Sequence, residues 1–216
     1  MEKLSQKPKD DHLKKVVKKH LRSTWRRPLA KHSVEAFESI RGRVEQSNAR
    51  LIFDSCSGTG DSTRQLAARF SDALIIGIDK SQHRLARHRR SDDFNYVMVR
   101  ADVNDFWRLA ATAGWQLSAH YLFYPNPYPK ASQLRKRWYA SPAFSALLNL
   151  QGYLTVRTNW SLYAEEFVAA LSVAGFKALN QPVSDETPIS MFEAKYRERG
   201  DTLFEVGCDL GKKFAS

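Results

Sequence analysis

The 216-residue chain has only two cysteines, Cys56 and Cys208, which lie far apart without a C-x-x-C spacing. Their number and spacing argue against a disulfide scaffold and against a zinc site. No apolar run approaches the length of a membrane-spanning helix, and the basic first residues are not followed by the apolar segment of a signal peptide. We therefore expect a cytoplasmic protein without a membrane span or a bound metal ion.

Acidic residues are scarce relative to basic ones, since 23 Asp and Glu face 34 Lys and Arg and leave a formal net charge of +11. The excess lies mainly in residues 1–31, the basic arm, which hold 11 basic and 3 acidic side chains. A helically spaced apolar stripe predicts a helix with a basic outer surface, and its residues are Leu13, Val16, Val17, His20 and Leu21. A solvated tail is the alternative. The charge favours a polyanionic partner, either nucleic acid or an acidic membrane surface.

From residue 32 onward, short apolar strands alternate with amphipathic helices. The predicted strands lie at 50–54, 73–78, 96–99, 120–124 and 152–156, and the predicted helices at 61–70, 82–90, 104–113, 138–149 and 161–174. This alternation is typical of parallel βαβ units and predicts a doubly wound α/β sheet. The last apolar run, 202–208, alternates and has no helix after it, so we expect an antiparallel strand that completes the sheet.

The first predicted strand ends in the small-residue loop D-S-C-S-G-T-G-D at 54–61, directly before a helix. Such a turn lets a ligand approach the helix N-terminus in the crevice where open α/β sheets bind nucleotides. The loop lacks the G-x-G-x-x-G spacing of dinucleotide sites, and no G-K-[ST] follows it as in a phosphate-binding loop. A site for an adenosyl group is therefore favoured over a site for a dinucleotide or a nucleoside triphosphate. Asp79 after the second strand is placed to bind a ribose diol, and Asp102 after the third to read an adenine amino group. For each acid the alternative is a helix cap or a turn residue.

Three further segments follow the later strands. They are P-N-P-Y-P-K at 125–130 with the basic run R-K-R at 135–137, T-N-W-S-L-Y-A-E at 158–165, and S-M-F-E at 190–193 with R-G at 199–200. In order and position they resemble the P-D-P-W-P-K, T-D-W…Y-A-E and T-x-F-E segments of the bacterial tRNA (guanine-N7)-methyltransferases, which are class I S-adenosylmethionine-dependent enzymes. We call residues 125–130 the proline segment.

The resemblance implies a seven-stranded, Rossmann-like methyltransferase domain at 32–216, with S-adenosyl-L-methionine as cofactor and tRNA, rather than a membrane, as partner. It implies catalytic roles for Asn126 and Asn159. The implied cofactor-binding residues are Asp54, Ser55, Ser57, Gly58, Gly60, Asp79 and Asp102. The implied substrate-binding residues are Tyr128, Lys130, Arg135, Lys136, Arg137, Ser190, Phe192 and Glu193.

The chain departs from the family in both halves of this site. In the family loop E-x-G-x-G-x-G, Asp54 stands for the acid and Ser55 and Ser57 for glycines, while both substrate-side aspartates are the amides Asn126 and Asn159. Guanine N7 carries a lone pair, so methyl transfer needs alignment and charge stabilisation rather than a general base. An amide supplies no negative charge to the cationic product, so we expect reduced activity, an altered substrate or a binding paralogue.

Two alternatives to guanine-N7 methylation remain open. The residues N-P-Y at 126–128 also resemble the N-P-P-Y segment of methyltransferases that act on exocyclic amino groups, where the Asn holds the amine and the aromatic ring stacks on the base. The second alternative is an RNA-binding protein without activity, in which the proline segment is a rigid turn.

Overall fold

The computed structural model describes residues 10–89 and 95–213. Its strands are β1 Arg50–Ser55, β2 Ala73–Asp79, β3 Tyr96–Arg100, β4 Ala119–Phe123, β5 Tyr153–Thr158, β6 Phe176–Pro182 and β7 Phe204–Lys213. They form one sheet in the order β3-β2-β1-β4-β5-β7-β6. The strands β1 to β5 pair with one another in parallel, whereas β7 runs antiparallel to β5 and β6. The strand order reverses between β1 and β4, so the ligand crevice of this fold opens at their carboxyl ends.

Helices connect the strands and cover both faces of the sheet. They are α1 Asp10–Arg22, α2 Lys31–Glu45, α3 Asp61–Arg69, α4 Gln82–Leu85, α5 Val103–Thr112, α6 Phe144–Asn149, α7 Ser161–Val173 and α8 Met191–Glu198. Two short 3-10 helices, Ala131–Lys136 and Trp138–Ala140, lie between β4 and α6. Among the described residues, none of the helices combines the length and the apolar character that crossing a bilayer requires.

The centre of the sheet is apolar on both faces because successive strand residues point in opposite directions. On β1, Phe53 packs into the larger core, and its neighbour Ile52 packs on the other face with Leu66 of α3. Every residue of β2 is buried. The two central strands therefore hold their carboxyl-terminal loops on a rigid base.

Of the basic arm, the structure describes the helix α1 and the residues 23–31 that follow it. Its predicted apolar stripe is buried, with Leu13, Val16 and Val17 in the larger core, and the imidazole Nδ1 of His20 lies 3.0 Å from the carbonyl oxygen of Ala140. The outer face of α1 is basic, as predicted. The arm's first nine residues lie outside the described residues, and the domain boundary at 31/32 stays a prediction.

The predicted doubly wound sheet and its antiparallel C-terminal strand are confirmed. The helix predicted at 82–90 is only four residues long in α4, and its last residue lies outside the described residues. The helix predicted at 138–149 is broken into a 3-10 helix and α6, because Pro142 has no N–H to donate within a continuous helix. The prediction overlooked α2, β6 and α8, and β6 carries little apolar signal because it is an exposed edge strand.

Candidate active site

The loop between β1 and α3 turns sharply through three residues with left-handed backbone. They are Cys56, Gly58 and Gly60, with φ of 66°, 62° and 83°. A Cβ atom on Gly60 would lie 2.5 Å from Nδ1 of His88, whereas one on Gly58 would meet no atom within 4 Å. This corrects the sequence alignment: the first glycine position of the family loop is held by Cys56, not by a serine. The open space at Gly58 leaves room for a ligand against the backbone.

Ser55 does not face this crevice. Its side chain is fully buried, its Oγ accepts a hydrogen bond from the indole Nε1–H of Trp107 at 2.9 Å, and the imidazole Nε2 of His120 lies at the same distance. Burial lowers the pKa of His120 to about 3, so this imidazole stays neutral. The Ser55 hydroxyl therefore belongs to the core beneath the loop, and a cofactor contact of this residue, which would have to come from its backbone, stays a prediction.

Asp54 presents a buried carboxylate at the end of β1. Its Oδ2 accepts hydrogen bonds from the hydroxyls of Ser62 and Thr63 at 2.7 and 2.6 Å. Its Oδ1 is buried and has no hydrogen-bond partner among the described residues, and the same holds for Oγ of Ser57. Burial raises the pKa of Asp54 to about 6. Two unsatisfied acceptors at this position fit a ligand that brings hydrogen-bond donors and a positive charge.

Asp79, at the end of β2, stabilises the loop that follows β1. Its Oδ2 accepts from the Gly58 N–H at 3.0 Å, and its Oδ1 accepts from the Ser81 N–H at 2.7 Å and forms an ion pair with Arg84 at 3.0 Å. The carboxylate thus holds the two crevice loops together. A contact with a ribose diol stays a prediction.

Asp102 caps α5, which is the alternative that the sequence left open for it. Its side chain accepts from the Asn104 N–H at 2.9 Å and from Arg27 at 3.1 Å. Arg27 belongs to residues 23–30, the linker between α1 and α2, and it also donates to the buried Asp105 at 2.6 Å. The linker is fixed a second time, because the N–H of Ala30 donates to Asp105 at 3.0 Å. The basic arm is therefore attached to the crevice at the place where an adenine is expected.

The proline segment leaves β4 at the next position along the crevice. Its backbone is constrained on both sides, since Tyr124 before it and Tyr128 within it have left-handed φ values of 50° and 47°. The Tyr124 N–H donates to the carbonyl oxygen of Arg157 on β5 at 2.8 Å. Asn126 is exposed, and its side-chain oxygen accepts from the Tyr128 N–H at 3.2 Å. The side-chain amide of Asn126 is thus presented to solvent by a tight turn.

Arg137 anchors the proline segment from inside the protein. It is 1% exposed, and its guanidinium donates to the carbonyl oxygens of Tyr128 and Pro129 at 3.1 and 3.3 Å and pairs with Glu166 of α7. The hydroxyl of Tyr139 also donates to Glu166. The predicted phosphate contact at Arg137 is therefore wrong, because its charge is already neutralised in the core.

The other basic residues predicted to bind substrate are exposed. They are Lys130, Arg135 and Lys136. The ammonium of Lys136 lies 5.8 Å from the centre of the Tyr128 ring. Burial lowers the pKa of His20 on α1, and the charge of Arg135 lowers it further. The contact of His20 with Ala140 places α1 against the second 3-10 helix, which follows the one that carries Arg135 and Lys136.

Asn159, at the end of β5, lies beside a carboxylate that the sequence analysis overlooked. Its side-chain N–H donates to Oδ2 of Asp201 at 2.9 Å, and Arg199 pairs with the same carboxylate. An aspartate at position 159 would face Asp201 with like charge. The amide is therefore complementary to its surroundings, because it donates to a carboxylate that also pairs with Arg199.

The segment S-M-F-E begins α8, and two of its residues stabilise the helix. The hydroxyl of Ser190 accepts from the Glu193 N–H at 3.2 Å as an N-cap. Glu193 is fully buried and pairs with Arg157 at 3.2 Å and with Arg197 at 2.7 Å. This corrects the predicted substrate contact at Glu193, whose carboxylate holds α8 against β5. Phe192, in contrast, is 53% exposed.

A protein-family model described as "Putative methyltransferase" matches residues 48–206. The chain belongs to this methyltransferase family. The methyltransferase is 28% identical to the tRNA (guanine-N(7)-)-methyltransferase of Nitrosococcus oceani, over 73% of this chain and 70% of the relative. It is 26% identical to the protein of the same name from Leifsonia xyli subsp. xyli, over 78% of each chain. The predicted resemblance to this family is therefore confirmed.

Solved structures confirm the fold of the methyltransferase. A structure described as an antibiotic related methyltransferase matches with a TM-score of 0.59 and 18% identity, over 86% of this chain and 97% of that one. The antibiotic-resistance methyltransferase Kmr matches with a TM-score of 0.57 and 18% identity, over 82% and 93% of the two chains.

The crevice of the methyltransferase fits S-adenosylmethionine. Asp54 offers a buried acceptor for an ammonium group, Ser57 offers a second acceptor, and Gly58 leaves the backbone open. Sequence reasoning overlooked the residues that support the site from behind, namely Arg27, Glu166, Tyr196 and Asp201. The sequence could have indicated Tyr196, because it lies one helical turn after Phe192. No local pattern indicates the ion pair between Arg137 and Glu166, which are 29 residues apart.

Proposed function

We propose that this methyltransferase transfers the methyl group of S-adenosylmethionine to N7 of a guanine in tRNA. The observation that carries the proposal is the proline segment, which is held beside the crevice by a buried arginine and presents the side-chain amide of Asn126 at its surface. The relatives named tRNA (guanine-N(7)-)-methyltransferase support the same reaction. A tRNA substrate also supports a cytoplasmic location.

The reaction requires alignment and charge stabilisation. When bound, S-adenosylmethionine supplies an electrophilic methyl group on a sulfonium. The lone pair of N7 forms the new N–C bond as the S–C bond breaks, so no proton has to be removed and no residue acts as a base. Asp54 would hold the ammonium end of the cofactor, and Asn126 would orient the guanine edge. Asn159, held by its hydrogen bond to Asp201, positions a second amide at the end of β5.

The exposed cations form a route for the RNA backbone. On α1 the residues Lys15, Lys18, Lys19 and Arg22 are exposed, and Arg135 and Lys136 are exposed on the first 3-10 helix. The helix α1 contacts the second 3-10 helix, which directly follows the first, through His20 and Ala140. Phosphate contacts of this kind position an RNA without reading its sequence. The surface leads from the arm to the proline segment, so an RNA bound along it reaches the crevice.

The proposal is tested with purified protein, labelled S-adenosylmethionine and a tRNA transcript, followed by mass spectrometry of the nucleosides. We expect 7-methylguanosine. The matched control is a transcript made with 7-deazaguanosine, which lacks N7 and keeps its exocyclic amino group, and it should accept no label. Label on the 7-deaza transcript, or methylation of an amino group, would show that the exocyclic-amine alternative is correct. Absence of label with both transcripts would favour the RNA-binding protein.

A further inference from the structure

The helix α8 buries an acidic residue, Glu193, and leaves the apolar side chains of Met191 and Phe192 exposed. Glu193 is fully buried in ion pairs with Arg157 and Arg197, whereas Met191 and Phe192 are 72% and 53% exposed. A surface helix ordinarily shows the reverse arrangement. Burial of the ion pairs fixes the rotation of α8, so its apolar face points to solvent.

The outer face of α8 alternates aromatic and basic side chains. Its residues are Met191, Phe192, Lys195 and Tyr196 of α8, with Arg199 directly after the helix. Met191, Lys195 and Arg199 are four residues apart, as are Phe192 and Tyr196. The rings of Phe192 and Tyr196 stack with centroids 6.4 Å apart and planes at 27°, and the guanidinium of Arg199 lies 5.0 Å from the Tyr196 ring. Both Lys195 and Arg199 are exposed. Aromatic rings interleaved with cations are the surface that binds unpaired nucleotides.

This face borders both candidate catalytic amides. The Tyr196 ring lies 5.3 Å from that of Tyr124, the residue directly before the proline segment that carries Asn126. At the other end, Arg199 pairs with Asp201, which accepts the hydrogen bond from Asn159. The outer face of α8 is thus continuous with the place where the target guanine is expected.

We propose that the outer face of α8 is a stacking platform for an unpaired RNA base that neighbours the methylated guanine. The inference rests on the proposed function and adds a second nucleotide subsite to it. A guanine that leaves its stack to enter the crevice also exposes the face of an adjacent base, and Phe192 with Tyr196 provides a new stacking surface for it. The exposed ammonium of Lys195 is placed to neutralise a flanking phosphate, which distinguishes this face from a purely apolar protein-docking surface.

The probe is a single-stranded RNA oligonucleotide that carries 2-aminopurine next to a guanine, because 2-aminopurine fluorescence is quenched when the base stacks. Wild-type protein should bind the probe and quench it. Phe192→Ala should bind about tenfold more weakly and lose the quenching, since stacking on one aromatic side chain has roughly that effect. Phe192→Trp should keep both. The matched control is Leu179→Ala on β6, which removes another exposed apolar side chain and should change neither.

Phe192→Leu separates stacking from plain apolar contact. If this variant binds and quenches like the wild type, the platform is overturned, and the same holds if Phe192→Ala changes only the oligomeric state in solution. Wild-type protein that quenches the probe but forms no 7-methylguanosine in tRNA would refute the proposed function and support the platform. Wild-type protein that methylates tRNA with a KM unchanged by Phe192→Ala would overturn the platform alone.

Discussion

Arg137 offers the sharpest test of how the proline segment is held. Pro127 and Pro129 have no N–H, so the segment cannot join a strand ladder, and the carbonyl oxygens of Tyr128 and Pro129 depend on the guanidinium of Arg137. Arg137→Lys keeps the charge opposite Glu166 but loses the planar fork that reaches both carbonyls. We expect it to lower the free energy of unfolding by about 1.5–3 kcal/mol, the range for hydrogen bonds to a charged group.

Arg137→Met should lower the free energy of unfolding by more, about 3–5 kcal/mol, because it leaves the Glu166 carboxylate buried without its cationic partner. A triple variant separates stability from anchoring: Arg137→Met with Tyr139→Phe and Glu166→Leu replaces the whole polar cluster by apolar side chains. Such replacements of buried ion pairs are often neutral or stabilising, so the free energy of unfolding should largely recover. The two carbonyls of the proline segment remain without their donor, so the methylation rate should stay at least about tenfold below wild type, equivalent to about 1.4 kcal/mol.

Urea denaturation measures stability, and binding of S-adenosylhomocysteine, which should be unchanged in Arg137→Lys, reports an intact crevice. Initial rates of 7-methylguanosine formation measure the anchoring. The reasoning is refuted if Arg137→Lys keeps its stability and its rate. It is also refuted if the salt dependence of tRNA binding falls by the single unit expected for a lost phosphate contact.

Three further predictions concern the crevice and the arm. Asn126→Asp should raise the rate of N7 methylation about tenfold, because a carboxylate binds the Watson–Crick edge of the guanine more strongly than an amide. Asn159→Asp should lower the rate, because the new carboxylate is repelled by Asp201. A slower Asn126→Asp enzyme would contradict this reasoning. Burial raises the pKa of Asp54 to about 6. The free energy of unfolding should therefore fall by up to about 3 kcal/mol as the pH rises from 4 to above 6 and the buried carboxyl ionises. Asp54→Asn should therefore be more stable than wild type in urea at pH 7.5 yet bind S-adenosylhomocysteine more weakly, and equal stability would contradict the buried charge. Replacing Lys15, Lys18, Lys19 and Arg22 by Gln should flatten the log–log salt slope of tRNA binding by up to about 3 units with cofactor affinity unchanged, and an unaltered slope would exclude α1 from the RNA surface.

The sequence predicted the parts of the fold that depend on continuous apolar runs. The buried strands β1 and β2 and the glycine-containing turn after β1 follow from local patterns that long-range contacts do not alter. The residues 135–137 show the limit of this reasoning, because three adjacent cations look alike in a sequence. Arg137 directly follows the first 3-10 helix with extended backbone, and its side chain is buried because the distant Glu166 pairs with it.

Glu193 and Phe192 exchange their expected environments for a similar reason. An exposed phenylalanine beside a buried glutamate contradicts average burial preferences, and the partner that permits it, Arg157, lies on the strand β5, 36 residues away along the chain. Asp201 escaped notice because it lies 42 residues from Asn159 and belongs to no recognised segment. The local sequence thus predicts where the site forms, and long-range ion pairs decide which side chains reach it.

The attachment of the basic arm has a practical consequence for studies of shortened forms of this protein. Removing residues 1–31 would take away not only charge but also the buried Leu13, Val16 and Val17, each worth about 1.5–3 kcal/mol, and would leave Asp105 buried without Arg27. Together these losses equal much of the net stability of a typical domain. We therefore expect a form that starts at residue 32 to aggregate or unfold. The packing of α1 is thus enough to require that the arm be kept with the catalytic fold, whatever RNA the arm binds.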